Sequence, residues 1–161
     1  MDSIGTEEYI RRLVEDYSPM LLRLAMTRSL STADAEDAVQ EVFLRLLAQK
    51  PRFRDGEHER AWLIRATIHR SSDIRKAAAN RALPLEEAEA VAVPEAAGDS
   101  PILSAVQALP EKYSTVIHLY YYEGYTIKEI AKLLGLPAPT VGTRLSRGRE
   151  KLRKLLEEDI L

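Results

Sequence analysis

The stretch from Thr126 to Leu156, TIKEIAKLLGLPAPTVGTRLSRGREKLRKLL, constrains the chain most, because its helix signals stand at fixed distances from one another. Thr126 and Glu129 have the spacing of a capping box, which predicts a helix start with Ile127, Ile130, Ala131 and Leu134 facing inward. Gly135 can adopt the left-handed conformation that ends such a helix. Pro137 and Pro139 lack amide hydrogens, which a first turn tolerates, so a second helix is expected to begin there. Its inner positions are Val141, Leu145, Leu152 and Leu155 or Leu156. Two helices across a short glycine-containing turn form a helix-turn-helix.

Between Arg144 and Lys154 stand Arg144, Arg147, Arg149, Lys151, Arg153 and Lys154 against a single acid, Glu150. A cationic outer face on the second helix suits phosphate contact, because neutralising phosphates releases condensed counterions. The plainer alternative is an amphipathic helix with a solvated Lys/Arg face. The net charge of −2 argues at first against a nucleic-acid partner. The distribution of charge argues the other way. Residues 51–83 carry 8 basic and 4 acidic side chains, residues 84–101 carry 0 and 5, and residues 102–161 carry 9 and 7. Two basic segments flank an acidic one, so the overall balance leaves room for two possible DNA surfaces.

At 161 residues with 45% apolar content, one domain or two small helical ones can be cored. No cysteine is present, which excludes disulfides and thiolate metal sites. Neither a signal peptide nor a membrane-spanning run is visible, so a cytoplasmic protein with no membrane association is expected. His58, His69 and His118 have no convincing metal-ligand spacing, and no metal site or other cofactor is expected.

Tyr9, Ile10, Leu13, Val14, Tyr17, Leu21, Leu24 and Ala25 recur at helical spacing, with Thr6 as N-cap and Pro19 expected to kink or split the helix at Ser18. Ser31 or Thr32 caps the next helix. There Ala38, Val39, Val42, Phe43, Leu44, Leu46 and Leu47 cover roughly 240° of arc. One small core rarely uses so much, so either part of the arc meets another protein, flanked by Asp37, Gln40, Glu41 and Arg45, or the helix is buried on several sides. The loop QKPRFRDGE places Phe53 between Arg52 and Arg54, a pattern that suits an unstacked base; Phe53 folding back over the core is an equal alternative. A further helix over residues 57–80 carries Trp62 as a core anchor and sets Arg65, His69, Ser72 and Lys76 on one polar face. Residues 82–101 read as an acidic flexible linker and domain boundary. A short helix over residues 102–109 follows. Then comes PEKYSTVIHLYYYEG, with Val116, Ile117, Tyr120 and Tyr121 inward and Gly124 as its stop.

DAEDAVQEVFLRLL followed by ERAWLIRATIHR resembles the promoter-melting domain of bacterial RNA polymerase sigma factors of the extracytoplasmic-function (ECF) group, in the sigma-70 family. LPEKYSTVIHLYYYEGYTIKEIAKLLGLPAPTVGTRLSRGREKL is similar to that family's helix-turn-helix domain. The resemblance covers nearly all of the chain outside the linker. It implies an all-α fold of two small domains, residues 1–82 and 102–161, joined by residues 83–101. It also implies a protein that binds core RNA polymerase and directs it to promoter DNA. Asp37, Gln40, Glu41, Leu44 and Arg45 would then meet the polymerase clamp helices. Lys50, Arg52, Phe53 and Arg54, in the loop that would hold an extruded base, and Arg65, His69 and Arg70 would contact opened minus-ten DNA. Thr140, Thr143, Arg144, Ser146 and Arg147 would meet the minus-thirty-five duplex. An anti-sigma factor clamped between the domains is a further implied partner. Chemistry is left to the polymerase, so no catalytic residue is expected; the alternative function is a stand-alone helix-turn-helix regulator.

Three features depart from the family pattern, one of them the mild SSDIRKAAANR that follows Arg70 where the family has a more strongly basic continuation. Gly142 stands where lysine is frequent, and with Gly148 in the same helix costs roughly 1 to 2 kcal/mol relative to alanine. His69 stands where many relatives have asparagine. Weak DNA binding by the free protein is therefore expected.

Overall fold

The computed structural model describes residues 7–28, 30–80 and 101–160, with side chains to residue 157. Thr6, proposed as a cap, and most of the acidic linker lie outside the described residues. α1 spans Glu7–Thr27 and buries Tyr9, Leu13, Met20, Leu21 and Leu24. Of the kink or split expected at Pro19, the split does not occur: α1 runs through Pro19 as one helix. Pro19 itself is exposed, and buried side chains on both sides of it tie the two halves of the helix to one core.

α2 spans Thr32–Gln49, and Ser31 is its cap: its hydroxyl accepts from the Asp34 amide at 3.1 Å. The helix ends at Lys50, which takes a left-handed φ of 46° and donates its amide to the Leu46 carbonyl. The wide apolar arc is divided. Ala38, Val39, Val42, Phe43 and Leu46 are buried, whereas Leu44 is 56% and Leu47 37% exposed.

α3 spans Gly56–Asn80 and completes a three-helix bundle with α1 and α2. Buried Thr67 and Ser71 satisfy their hydroxyls by donating to the carbonyls of Leu63 and Thr67, at 2.8 and 2.7 Å. Buried Glu59 accepts from Tyr9 at 2.5 Å and from Tyr17 at 3.2 Å, joining α1 to α3.

α4 spans Pro101–Ala108 and α5 Glu111–Ile117. A π-turn over His118–Tyr122 continues α5 before Gly124, at φ 78°, reverses the chain. Its wider turn changes the register. Tyr121, expected inward, is 55% exposed, while Val116 and Ile117 are buried as expected. α6 spans Ile127–Leu134 and α7 Ala138–Ile160. The two halves are not separate beads: one continuous apolar cluster runs from Leu13 and Leu24 through Val106 and Leu119 to Ile130 and Leu145.

Candidate nucleic-acid interface

The rear surface is built on the helix-turn-helix. Thr126 Oγ1 accepts from the Glu129 amide at 3.1 Å, and Glu129 Oε1 accepts from the Thr126 amide at 2.9 Å, which closes the capping box. The Thr126 backbone amide first, and then the Thr126 hydroxyl, hold the Glu129 carboxyl below its ordinary range. Gly135 has φ 69°, and Leu136 donates to the Ala131 carbonyl at 2.9 Å. The turn thereby fixes where α7 begins. Val141 and Leu145 are fully packed against the bundle, which turns Thr143, Ser146 and Arg147 outward.

Thr140, Thr143, Arg144 and Arg147 converge on a hollow of about 290 Å³, together with Pro139 and two residues from α5, Lys112 and Tyr113. Ser146 is exposed but outside that lining. Lys112 lies 5.0 Å and Lys151 5.8 Å from the centre of the Tyr113 ring. Sequence spacing did not reveal Lys112, since it approaches the recognition helix only through tertiary packing. The run of cations on α7 is divided by function. Arg149 donates to the Tyr121 hydroxyl at 2.8 Å, and Arg153 pairs with Glu150 and Glu157 at 2.6 and 3.0 Å. Among the described residues, Arg144 and Arg147 have no such ion pair, so their charge is available to a phosphate.

The front surface lies on α2, α3 and the loop between them. Lys50, Arg52 and Arg54 are exposed. Phe53 is half-buried, edge-on to His58 at 5.3 Å and to Trp62 at 6.1 Å, and packs on the core, so the folded-back reading holds in this structure. His69 is exposed on α3. Arg65 reaches across to the rear half, where its Nε donates to the Leu133 carbonyl at 3.0 Å. Arg70 pairs with Glu41 of α2. Asp37, Gln40, Glu41, Leu44 and Arg45 are all exposed on one helix, and Leu44 lines a mainly apolar hollow of about 330 Å³ with Val14, Leu22, Val39 and Phe43.

The Sigma-70 region 2 family matches residues 13–81, and the Sigma-70, region 4 family matches residues 100–152. The chain is 32% identical over 172 residues to the ECF RNA polymerase sigma factor SigW of Bacillus subtilis, covering 96% of this chain and 92% of that protein. The chain belongs to the ECF sigma factors of the sigma-70 family. As such a factor it acts in promoter-specific transcription initiation by RNA polymerase, and its family is not one of enzymes. ECF sigma factor SigM of Mycobacterium tuberculosis is 30% identical over 148 residues, covering 90% of this chain and 76% of that protein. The fold is that of sigma factor RpoE of Bartonella quintana, solved in complex with the anti-sigma factor NepR. That likeness has a TM-score of 0.73 at 22% identity and covers 94% of this chain and 98% of that one. CnrH, solved in complex with the cytosolic domain of CnrY, is similar at a TM-score of 0.69 and 26% identity, over 96% and 92% of the two chains. Among the described residues of this sigma factor, no helix is long and apolar enough to cross a membrane.

Proposed function

We propose that this sigma factor docks on the polymerase clamp through Asp37, Gln40, Glu41, Leu44 and Arg45, reads the minus-thirty-five duplex through α7, and captures the opened minus-ten strand with α3 and the loop before it. The observation that carries the docking reading is Leu44, a large apolar side chain 56% exposed on a helix whose other apolar face is already packed. Charged and polar neighbours around an apolar centre set orientation while the centre supplies burial. On the rear domain, Thr140, Thr143, Arg144 and Arg147, with Ser146 beside them, contact the duplex; Lys112 adds a phosphate contact. On the front domain, Lys50, Arg52, Arg54, Arg65, His69 and Arg70 follow the separated strand, and Phe53 stacks on a base after turning out of its half-buried seat. The polymerase performs the chemistry, in the cytoplasm. Residues 1–82 and 102–161 act as the two functional domains.

An anti-sigma factor fits the cleft between the halves. A largely apolar cavity of about 720 Å³ lies there, lined in part by Met26, Leu103, Val106 and Leu156, with Arg23 and Arg149 at its wall. An amphipathic helix bearing acidic residues complements both its apolar floor and its cations.

Leu44→Asp tests the docking reading. The variant is expected to keep the parent's thermal unfolding, because the side chain is exposed, and to lose co-elution with core polymerase. Promoters selected from a random library by the polymerase-bound protein, and lost with Arg144→Ala plus Arg147→Ala, test the duplex reading. Unchanged co-elution by Leu44→Asp sinks the first; unchanged selection sinks the second.

A further inference from the structure

The large apolar side chains left exposed among the described residues fall into two groups. Val14, Leu44 and Leu47 border the hollow proposed to meet the polymerase, whereas Ile102, Tyr121 and Tyr122 border the cavity of about 720 Å³. That cavity has depth: Val106 and Ile117 are buried at its floor, Leu152 and Leu156 are half-buried along its wall, and the two tyrosines stand exposed at its rim. Its volume is that of a small-molecule site, and aliphatic side chains with few polar groups are the lining such a site has. The charge of the lining is of one sign, since Arg23, Arg149 and Arg153 belong to it and no carboxylate does. Arg153 is paired with Glu150 and Glu157. Arg149 is instead held by a neutral group, the Tyr121 hydroxyl at 2.8 Å, and among the described residues it has no carboxylate partner. That bond uses one of five guanidinium N–H donors and fixes the others beside an exposed tyrosine. Arg23 lies 5.1 Å from the Tyr122 ring centre and gives Nη2 to Glu123 at 3.4 Å, while its Nε is buried with no hydrogen-bond partner. A buried donor without an acceptor is costly, and in a residue that lines a cavity it points to an oxygen brought by a ligand.

We propose that this cavity binds a free long-chain fatty acid, its alkyl chain on Val106, Ile117 and Leu152 and its carboxylate on Arg149, with Arg23 as the second cation. A guanidinium takes a carboxylate through two parallel N–H donors, and partial exclusion of water at the rim strengthens that bond. A sugar or a nucleotide would leave its polar groups unpaired against so apolar a lining. A cationic amphiphile would meet like charge. The walls come from α1 on the front half and from α4, α5, the π-turn and α7 on the rear half, so one bound chain touches both. The ligand goes beyond the partner helix proposed for the same cleft: the two would compete for one cavity, and either holds without the other.

The test titrates the full-length protein with dodecanoate, kept below its micelle concentration, in a calorimeter. One molecule per chain is expected to bind, and the thermal unfolding midpoint should rise with dodecanoate concentration. Dodecyltrimethylammonium has the same chain and the opposite head charge, and should bind about tenfold more weakly or less. Arg149→Glu should weaken dodecanoate binding by about tenfold or more, and Arg149→Lys, which keeps the charge without the fork, by less. Leu103→Trp on α4 and Met26→Trp on α1 fill the cavity and should abolish binding. Circular dichroism checks that each variant keeps its helices, and two filling variants on different helices guard against one that fails to fold. Vesicles of anionic phospholipid should not retain the protein, since the site takes a free acid and not a bilayer surface. No binding by the parent, several molecules per chain, or equal affinity for the cationic amphiphile overturns the proposal. Unchanged affinity in Arg149→Glu, or in the folded filling variants, overturns it too, and retention on the vesicles overturns the free acid as the ligand.

Discussion

Arg70 on α3 donates from Nη2 to Oε1 of Glu41 on α2 at 3.1 Å, so a residue proposed to meet the opened strand is tied to one proposed to meet the polymerase. The pair is partly solvated, with side chains 30% and 47% exposed, and an ion pair of that kind contributes about 0 to 1 kcal/mol. Its use is positional: Glu41 keeps the guanidinium on the side of α3 that faces α2. Arg70→Ala should weaken binding of the opened strand by the polymerase-bound protein and leave co-elution with core polymerase intact. Glu41→Ala should weaken co-elution instead. Both should unfold within a few degrees of the parent, and equal losses in both assays for both variants would contradict the division of roles.

Arg144, Arg147 and Lys112 face one hollow, so the duplex contact proposed for them has a large electrostatic part. Each phosphate neutralised adds about one unit to the slope of log affinity against log salt. Arg144→Ala with Arg147→Ala should therefore flatten that slope by about two, and Lys112→Ala by about one. Lys112→Ala should weaken all duplexes alike. Affinity measured between low and moderate salt, on selected and unrelated promoters, checks both statements.

Gly142 and Gly148 share α7 but differ in what surrounds them. A side-chain carbon on Gly142 would meet nothing within 4 Å, whereas one on Gly148 would lie 2.8 Å from Ile117 Cδ1 and 3.2 Å from Tyr113 Cβ. Gly142→Ala should stabilise the protein by up to about 1 kcal/mol through helix propensity. Gly148→Ala should be less stable than Gly142→Ala by about 1 kcal/mol or more, since the Ile117 side chain must turn aside and Tyr113 give slightly to admit the methyl. Chemical denaturation of the two variants beside the parent decides it.

Burial, and then the charge and hydrogen bonding of Glu59, push the Tyr17 hydroxyl up to about 12 from an ordinary value of 10.0. Burial and the same carboxylate raise Tyr9 as well. The unfolded chain gives up these protons near pH 10 while the folded one retains them, so the folded state binds more protons in that window. Stability is thus fully present below pH 10 and is lost as pH rises from 10 towards 12. The denaturation midpoint should fall across this range, and Tyr17→Phe should make the fall shallower. A flat profile in the parent would rule the effect out.

Much of the rear domain was legible because local chemistry decides it. The capping box at Thr126 and Glu129, the left-handed Gly135, and the burial of Val141 and Leu145 follow from side-chain spacing within one or two turns. The π-turn was not legible: its residues HLYYY also suit an α-helix, whereas in the folded chain His118 and Leu119 are buried and Tyr121 faces outward. Pro19 does not split α1 because a missing backbone bond is local, whereas the apolar contacts that carry the helix past it come from α2 and α3. The Leu44 side of α2 was visible as an excess of apolar arc, but periodicity could not say which part of that arc is covered.

Residue order by itself determined the helices, the helix-turn-helix and the family, since capping, periodicity and turn chemistry act over a few neighbouring residues. Tertiary structure alone decided which cations are spoken for. Arg28, Arg65, Arg70 and Arg149 are engaged by groups on other elements, while Arg144 and Arg147 face an open hollow. Charge acts through space, and the partners of Arg28 and Arg65 come from parts of the chain 83 and 68 residues away, a proximity that no local pattern encodes.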